Sequence, residues 1–124
     1  MPEQTVRLSV PAQAAFARAV RMTAASLAVA CNLNVDEVED VRMAAEEGFV
    51  LCCATEPASC DIVFVLAEGE VHTTFALGAK QIDESDDALN LAELLLSAVC
   101  DEYGVSEDGT MLRLVKRAGV ANGE

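Results

Sequence analysis

The sequence predicts an α+β domain, a two-layer α/β sandwich in which three helices cover one face of a mixed, mostly antiparallel sheet. Three observations lead there. Apolar periodicity runs strand, helix, helix, strand, strand, helix, strand, strand along the 124 residues. Two hairpin signals, Glu68-Gly69-Glu70 and Glu107-Asp108-Gly109, join successive strand patterns and so make antiparallel pairs. Three apolar-striped helices and one sheet bury their faces as two layers. A chain of this length builds one ordinary core, so residues 1–124 read as a single domain.

Each element has a local reason. Thr5 to Val10 alternates, with Val6, Leu8 and Val10 on one face, and Pro11 stops it. From Ala12 to Cys31 the chain is Ala-rich and free of Pro and Gly, with Phe16, Val20, Met22, Ala24 and Leu27 as its apolar stripe. Asn32-Leu33-Asn34 links to a second helix, Val35 to Ala54, where Asn34 and Glu37 make a capping box. Val38, Val41, Ala45, Phe49 and Cys52 form the buried stripe of that helix, which ends at Glu56-Pro57-Ala58-Ser59. Cys60 to Leu66 is nearly all apolar and reads as a central strand, and Val71 to Leu77 returns beside it. Gly78 to Asp87 is a polar, acidic loop. Leu89 to Cys100 reads as a third helix, buried on most sides. Asp101 to Val105 and Thr110 to Lys116 close a last hairpin, and Arg117 to Glu124 reads as a frayed tail.

Composition narrows the function classes. The chain is 52% hydrophobic with no Trp and one Tyr, so the core is aliphatic and the chain is not disordered. Its apolar runs fall short of the ~20 residues of a membrane span, and no charged segment followed by an apolar stretch opens it as a secretory signal would. These features point to a soluble cytoplasmic protein. With 8 basic residues against 21 acidic, a net charge of −13, it lacks the Lys and Arg clusters that displace counterions from nucleic acid. Basic protein surfaces are the better electrostatic match. Cysteines at 31, 52, 53, 60 and 100 are odd in number and lack framework spacing, so they read as small buried hydrophobes. Cys52, Cys53, Cys60 and His72 have the residue types of a zinc site, but adjacent helical cysteines diverge by about 100°, and no metal is expected.

The run Glu39-Asp40-Val41-Arg42-Met43-Ala44-Ala45-Glu46-Glu47 resembles the N-box helix of the GHKL ATPases, in particular the serine kinases that act as bacterial anti-sigma factors. RLSVPAQ resembles the family's first strand and its proline. Leu91 through Tyr103 resembles the helix and strand after its ATP lid, and Gly109-Thr110 before MLRLVK its last hairpin. The similarity in order spans roughly residues 5 to 116. It implies the histidine-kinase-like ATPase fold, with Glu47 as the catalytic base.

The ATP-site positions depart from the family's pattern. The N-box Asn that holds Mg²⁺ is Leu51, which has no oxygen for a hard cation. The G1-box Asp that reads adenine falls on Ala76, followed by the surviving Gly78. The glycine-rich turn that approaches phosphates falls on Asn90-Leu91-Ala92-Glu93, where Ala92 narrows the approach and Glu93 repels a triphosphate. Glu47 without a bound phosphoryl donor has nothing to catalyse.

The resemblance therefore implies a transcription regulator that binds a sigma factor or an anti-sigma antagonist, with its nucleotide chemistry and cofactors lost. It also implies a homodimer built through the first strand and helix, with Thr5 to Val10 as an exposed edge. The alternative is an active serine/threonine kinase that holds ATP and Mg²⁺ with altered residues. A third reading is a small-ligand site in the former ATP cavity. Leu51, Phe75 and Leu77 there leave either a packed core or an apolar pocket, the packed core being favoured.

Overall fold

The computed structural model describes residues 1–119. Strand β1 (Gln4–Val10) leads through a 3₁₀ turn at Ala14–Phe16 into α1 (Ala17–Ala30), and α2 (Val35–Ala54) follows. The hairpin β2 (Cys60–Ala67) and β3 (Glu70–Ala76), helix α3 (Asp87–Val99) and the hairpin β4 (Glu102–Val105) and β5 (Met111–Arg117) complete the order. The sheet order is β1-β2-β3-β5-β4. Every neighbouring pair is antiparallel, so the expected parallel component is absent among the described residues. The physical reason lies in the connections. Hairpins join β2 to β3 and β4 to β5; the α1–α2 excursion returns the chain as β2 in opposite sense beside β1, and the α3 excursion leads to the edge strand β4, from which β5 turns back to lie between β4 and β3.

One face of the sheet makes the core. β2 alternates with Cys60, Ile62, Phe64 and Leu66 inward, and Val71, Thr73 and Phe75 do the same from β3. The centre of the sheet is therefore β3, while β2 lies second from the β1 edge. Phe49, Phe64 and Phe75 are at most 1% exposed, and each stabilises the fold by roughly 1.5–3 kcal/mol. Helix α2 packs on β3 and β5 and lies between α1 and α3. Its Gly48 allows the approach. A Cβ there would stand 2.6 Å from Phe75 Cε1 and 3.1 Å from Leu114 Cδ1. A glycine in a helix interior costs about 1 kcal/mol, which close packing against a buried ring offsets.

The start of α2 is secured as its sequence requires. Asn34 Oδ1 accepts from the Glu37 N–H and Glu37 Oε1 from the Asn34 N–H, both at 2.8 Å. These bonds satisfy two otherwise unpaired helix donors. Asn34→Ala is expected to lower stability by about 1 kcal/mol, read as a shifted urea midpoint with unchanged slope. Glu37 also takes the Gly119 N–H at 2.6 Å. The chain after β5 is thus fastened to α2, and Arg117 belongs to the strand opposite Glu70 rather than to a frayed tail. The remainder of that expected tail, 120–124, lies outside the described residues.

Three further expectations are corrected. The first helical segment begins as a 3₁₀ turn because Gln13 provides no side-chain cap. Met22 is 54% exposed, because Val20, Ala24 and Ala28 already define the inward face of α1. Helix α3 is not buried on most sides. Only Ala92 and Leu96 are buried, because α3 has α2 as its main neighbour and sits at the margin of the layer.

The outer sheet face carries an ionic ladder. His72 Nε2 lies 2.9 Å from Glu70, its Nδ1 lies 3.2 Å from Arg113 Nη2, and Arg117 reaches Glu102 at 2.6 Å. On the helix side Lys116 meets Asp40 at 2.9 Å and fastens β5 to α2. No helix among the described residues is long and apolar enough to cross a membrane.

Candidate functional site

The C-terminal half of α2 and the ends of β3, β4 and β5 enclose a cavity of about 220 Å³. Leu51, Leu77, Ile82, Tyr103, Val105 and Leu112 are among its walls, and Glu93 of α3 is the one charged side chain among the described residues that line it. Leu51 is 4% exposed and Phe75 fully buried, so both belong to the core, while Leu77 is half-buried on the cavity wall. The two expectations for this region divide between residues. Phe75 fills core, and Leu51 and Leu77 bound an apolar pocket.

Glu47 stands one helical turn before Leu51 and does not line the cavity. Its half-buried carboxyl is raised above the usual range, first by burial and then by the neighbouring charge of Glu46. Glu46 itself pairs with Arg21 at 3.0 Å. No side-chain hydrogen bond or ion pair among the described residues engages Glu47.

Ala76 and Gly78 belong to a backbone knot at the end of α2. The Ala76 carbonyl accepts from Cys52 Sγ at 3.4 Å. Gly78 N–H donates to Thr55 Oγ1 at 2.8 Å, and that hydroxyl donates to the Cys52 carbonyl at 2.6 Å. The Lys80 N–H adds a bond to the Thr55 carbonyl at 3.1 Å. A Cβ on Gly78 would collide with the Thr55 carbonyl oxygen and stand 2.5 Å from Pro57 N and 2.7 Å from Glu56 C. Gly78 thus has a packing task of its own.

Asn90 and Ala92 are both inside α3, as the helix expected from Leu89 to Cys100 requires, so the positions that the resemblance matches to a phosphate-approaching turn are helical. The Asn90 side chain donates to the Glu84 carbonyl at 3.0 Å and holds the acidic loop to the helix. Ala92 is fully buried. The backbone amides at this end are already engaged. Asp86 Oδ1 accepts from Ala88 at 2.9 Å and from Leu89 at 3.3 Å, and the Asn90 N–H bonds the Asp86 carbonyl at 3.0 Å. A helix N-terminus attracts phosphate when its N–H groups are free. Here a carboxylate occupies that position and adds negative charge.

No group of three or more His, Cys, Asp or Glu side chains among the described residues is arranged to hold a metal. Cys52 and Cys60 are in the core, whereas His72 belongs to the outer sheet face. The sheet itself separates the imagined zinc ligands. All five thiols are free, and burial pushes Cys100 up to about 11, so it is a protonated, poorly nucleophilic thiol at neutral pH.

The structure therefore brings Leu51 and Leu77 together with Glu93, places Ala76 and Gly78 in the adjoining knot, and leaves Glu47, Asn90 and Ala92 outside the cavity. Sequence reasoning missed Thr55, Ile82 and Val105. Thr55 offered no signal in sequence, since a threonine after a helix is common, and only its bond to Gly78 gives it a role. The chain matches no protein-family model, and comparison with curated proteins finds no match.

Proposed function

We propose that this chain is a bacterial cytoplasmic regulator of the anti-sigma factor/serine kinase type that acts by binding a protein, with ATP binding and kinase chemistry lost. The partner class is a sigma factor or an anti-sigma antagonist. The observation that carries the reading is the chemistry of the cavity and its neighbouring helix end. Leu51 provides hydrocarbon where a hard cation needs oxygen. The amides near the start of α3 are taken by Asp86. Glu93 sets a carboxylate on the cavity wall, against any polyphosphate. Net charge of −13 supports a protein partner over nucleic acid.

One observation favours the alternative, an active kinase with a divergent nucleotide site. The Glu47 carboxyl is half-buried and raised, as a general base is. The two readings differ in one measurement. Titration of the protein with ATP and Mg²⁺ by isothermal calorimetry is expected to give no binding heat at concentrations that reveal micromolar affinity. Saturable binding would overturn the protein-binding reading and make Glu47 the first residue to mutate.

A further inference from the structure

Helix α3 turns an apolar stripe away from the core. Ala92 and Leu96 face inward, and Leu91, Leu94 and Ala98 follow at three- and four-residue spacing on the opposite face. Leu91 is 54% and Leu94 64% exposed. A leucine pair left in water at helical spacing is an unused packing surface. Its borders have one sign. Asp87 heads the stripe, and every charged residue from Gln81 to Glu102 is acidic, Glu93 among them on the cavity side.

We propose that this face of α3 docks an amphipathic helix of a protein partner, whose apolar stripe covers Leu91 and Leu94 and whose flanks carry Lys or Arg. The inference rests on the protein-binding reading above and gives it a surface. Charge selects the occupant. A second copy related by a twofold axis would set one acidic border against another, in a chain already at −13. Nucleic acid and anionic bilayers are repelled for the same reason. A basic helix gains burial of both leucines and attraction at the rim, the common geometry of helix-in-groove recognition.

The test uses a fluorescein-labelled peptide that is helical, with a leucine stripe flanked by lysines, and a matched peptide with glutamates in place of the lysines. Fluorescence anisotropy is expected to show binding of the lysine peptide, weakened by salt, and none of the glutamate peptide. The double variant Leu91→Gln/Leu94→Gln keeps every charge and is expected to lose about tenfold or more in affinity. Val29→Gln, at an exposed site on α1, is expected to bind as wild type. Equal binding by the double variant, or equal binding of both peptides, overturns the proposal. So does a wild-type dimer in sedimentation that the double variant abolishes, since a second copy would then be the occupant. ATP binding by the wild-type chain would sink the functional reading while the peptide result stood. Equal peptide binding by the double variant, with no ATP binding, would sink this surface alone.

Discussion

Gly78→Ala is expected to leave little folded protein, or to lower stability by about 3 kcal/mol or more. The added methyl would meet the Thr55 carbonyl oxygen, Pro57 N and Glu56 C, which are backbone atoms and cannot swing aside as a side chain can. Relief by movement of the segment would break the Gly78 to Thr55 bond at 2.8 Å and the Lys80 to Thr55 bond at 3.1 Å. Each bond contributes about 1 kcal/mol net, and a buried partner left unpaired costs more. The thermal midpoint and yield of soluble protein are the readouts. A variant as stable as wild type would show that the segment after β3 can be displaced from the end of α2 at little cost.

Leu51→Asn is expected to lower stability by about 2–4 kcal/mol, because it removes buried hydrocarbon and sets an amide against apolar walls. Leu51 is 4% exposed and lines the cavity with Leu77, Ile82 and Leu112. The cavity gives the amide some room, and a water there would reduce the cost. Urea denaturation measures the change. An unchanged midpoint would mean that the wall repacks or hydrates freely around an amide. Calorimetry on the same variant bears on the proposed reading. Mg²⁺-dependent ATP binding gained by this one change would support the resemblance of this position to the N-box Asn and place the proposed loss of nucleotide chemistry there alone. Continued silence is expected, because Ala76, Glu93 and the Asp86 cap are untouched.

Much of the backbone was legible because local rules and tertiary packing agree. The capping box at Asn34 and Glu37, the apolar stripe of α2 and the Gly69 turn, where φ is +69°, each express a short-range preference. Errors arose where burial depends on neighbours distant in sequence. The run Leu94-Leu95-Leu96 belongs to a helix that reads as buried on most sides, yet Leu94 is 64% exposed because no element among the described residues covers that side of α3. Cys60 to Leu66 reads as a central strand and is paired on both sides, but which strands flank it is a matter of sheet order. Hydropathy reports what a residue gains by burial, and topology decides whether a partner surface is available.

The candidate site divides the same way. A leucine at position 51 offers no metal ligand there by side-chain chemistry alone, and the acidity of the chain disfavours nucleic acid by charge alone. Those conclusions need no coordinates. The helix over Asn90 and Ala92 was legible in the sequence, whereas the structure decided that Asp86 takes the amides at its start and that Gly78 packs on Thr55. The last of these depends on backbone segments that approach one another across 23 positions of the chain. A linear pattern records residue types and their spacing. Which donors are already occupied, and which glycine has a carbonyl against it, are properties of the packed chain.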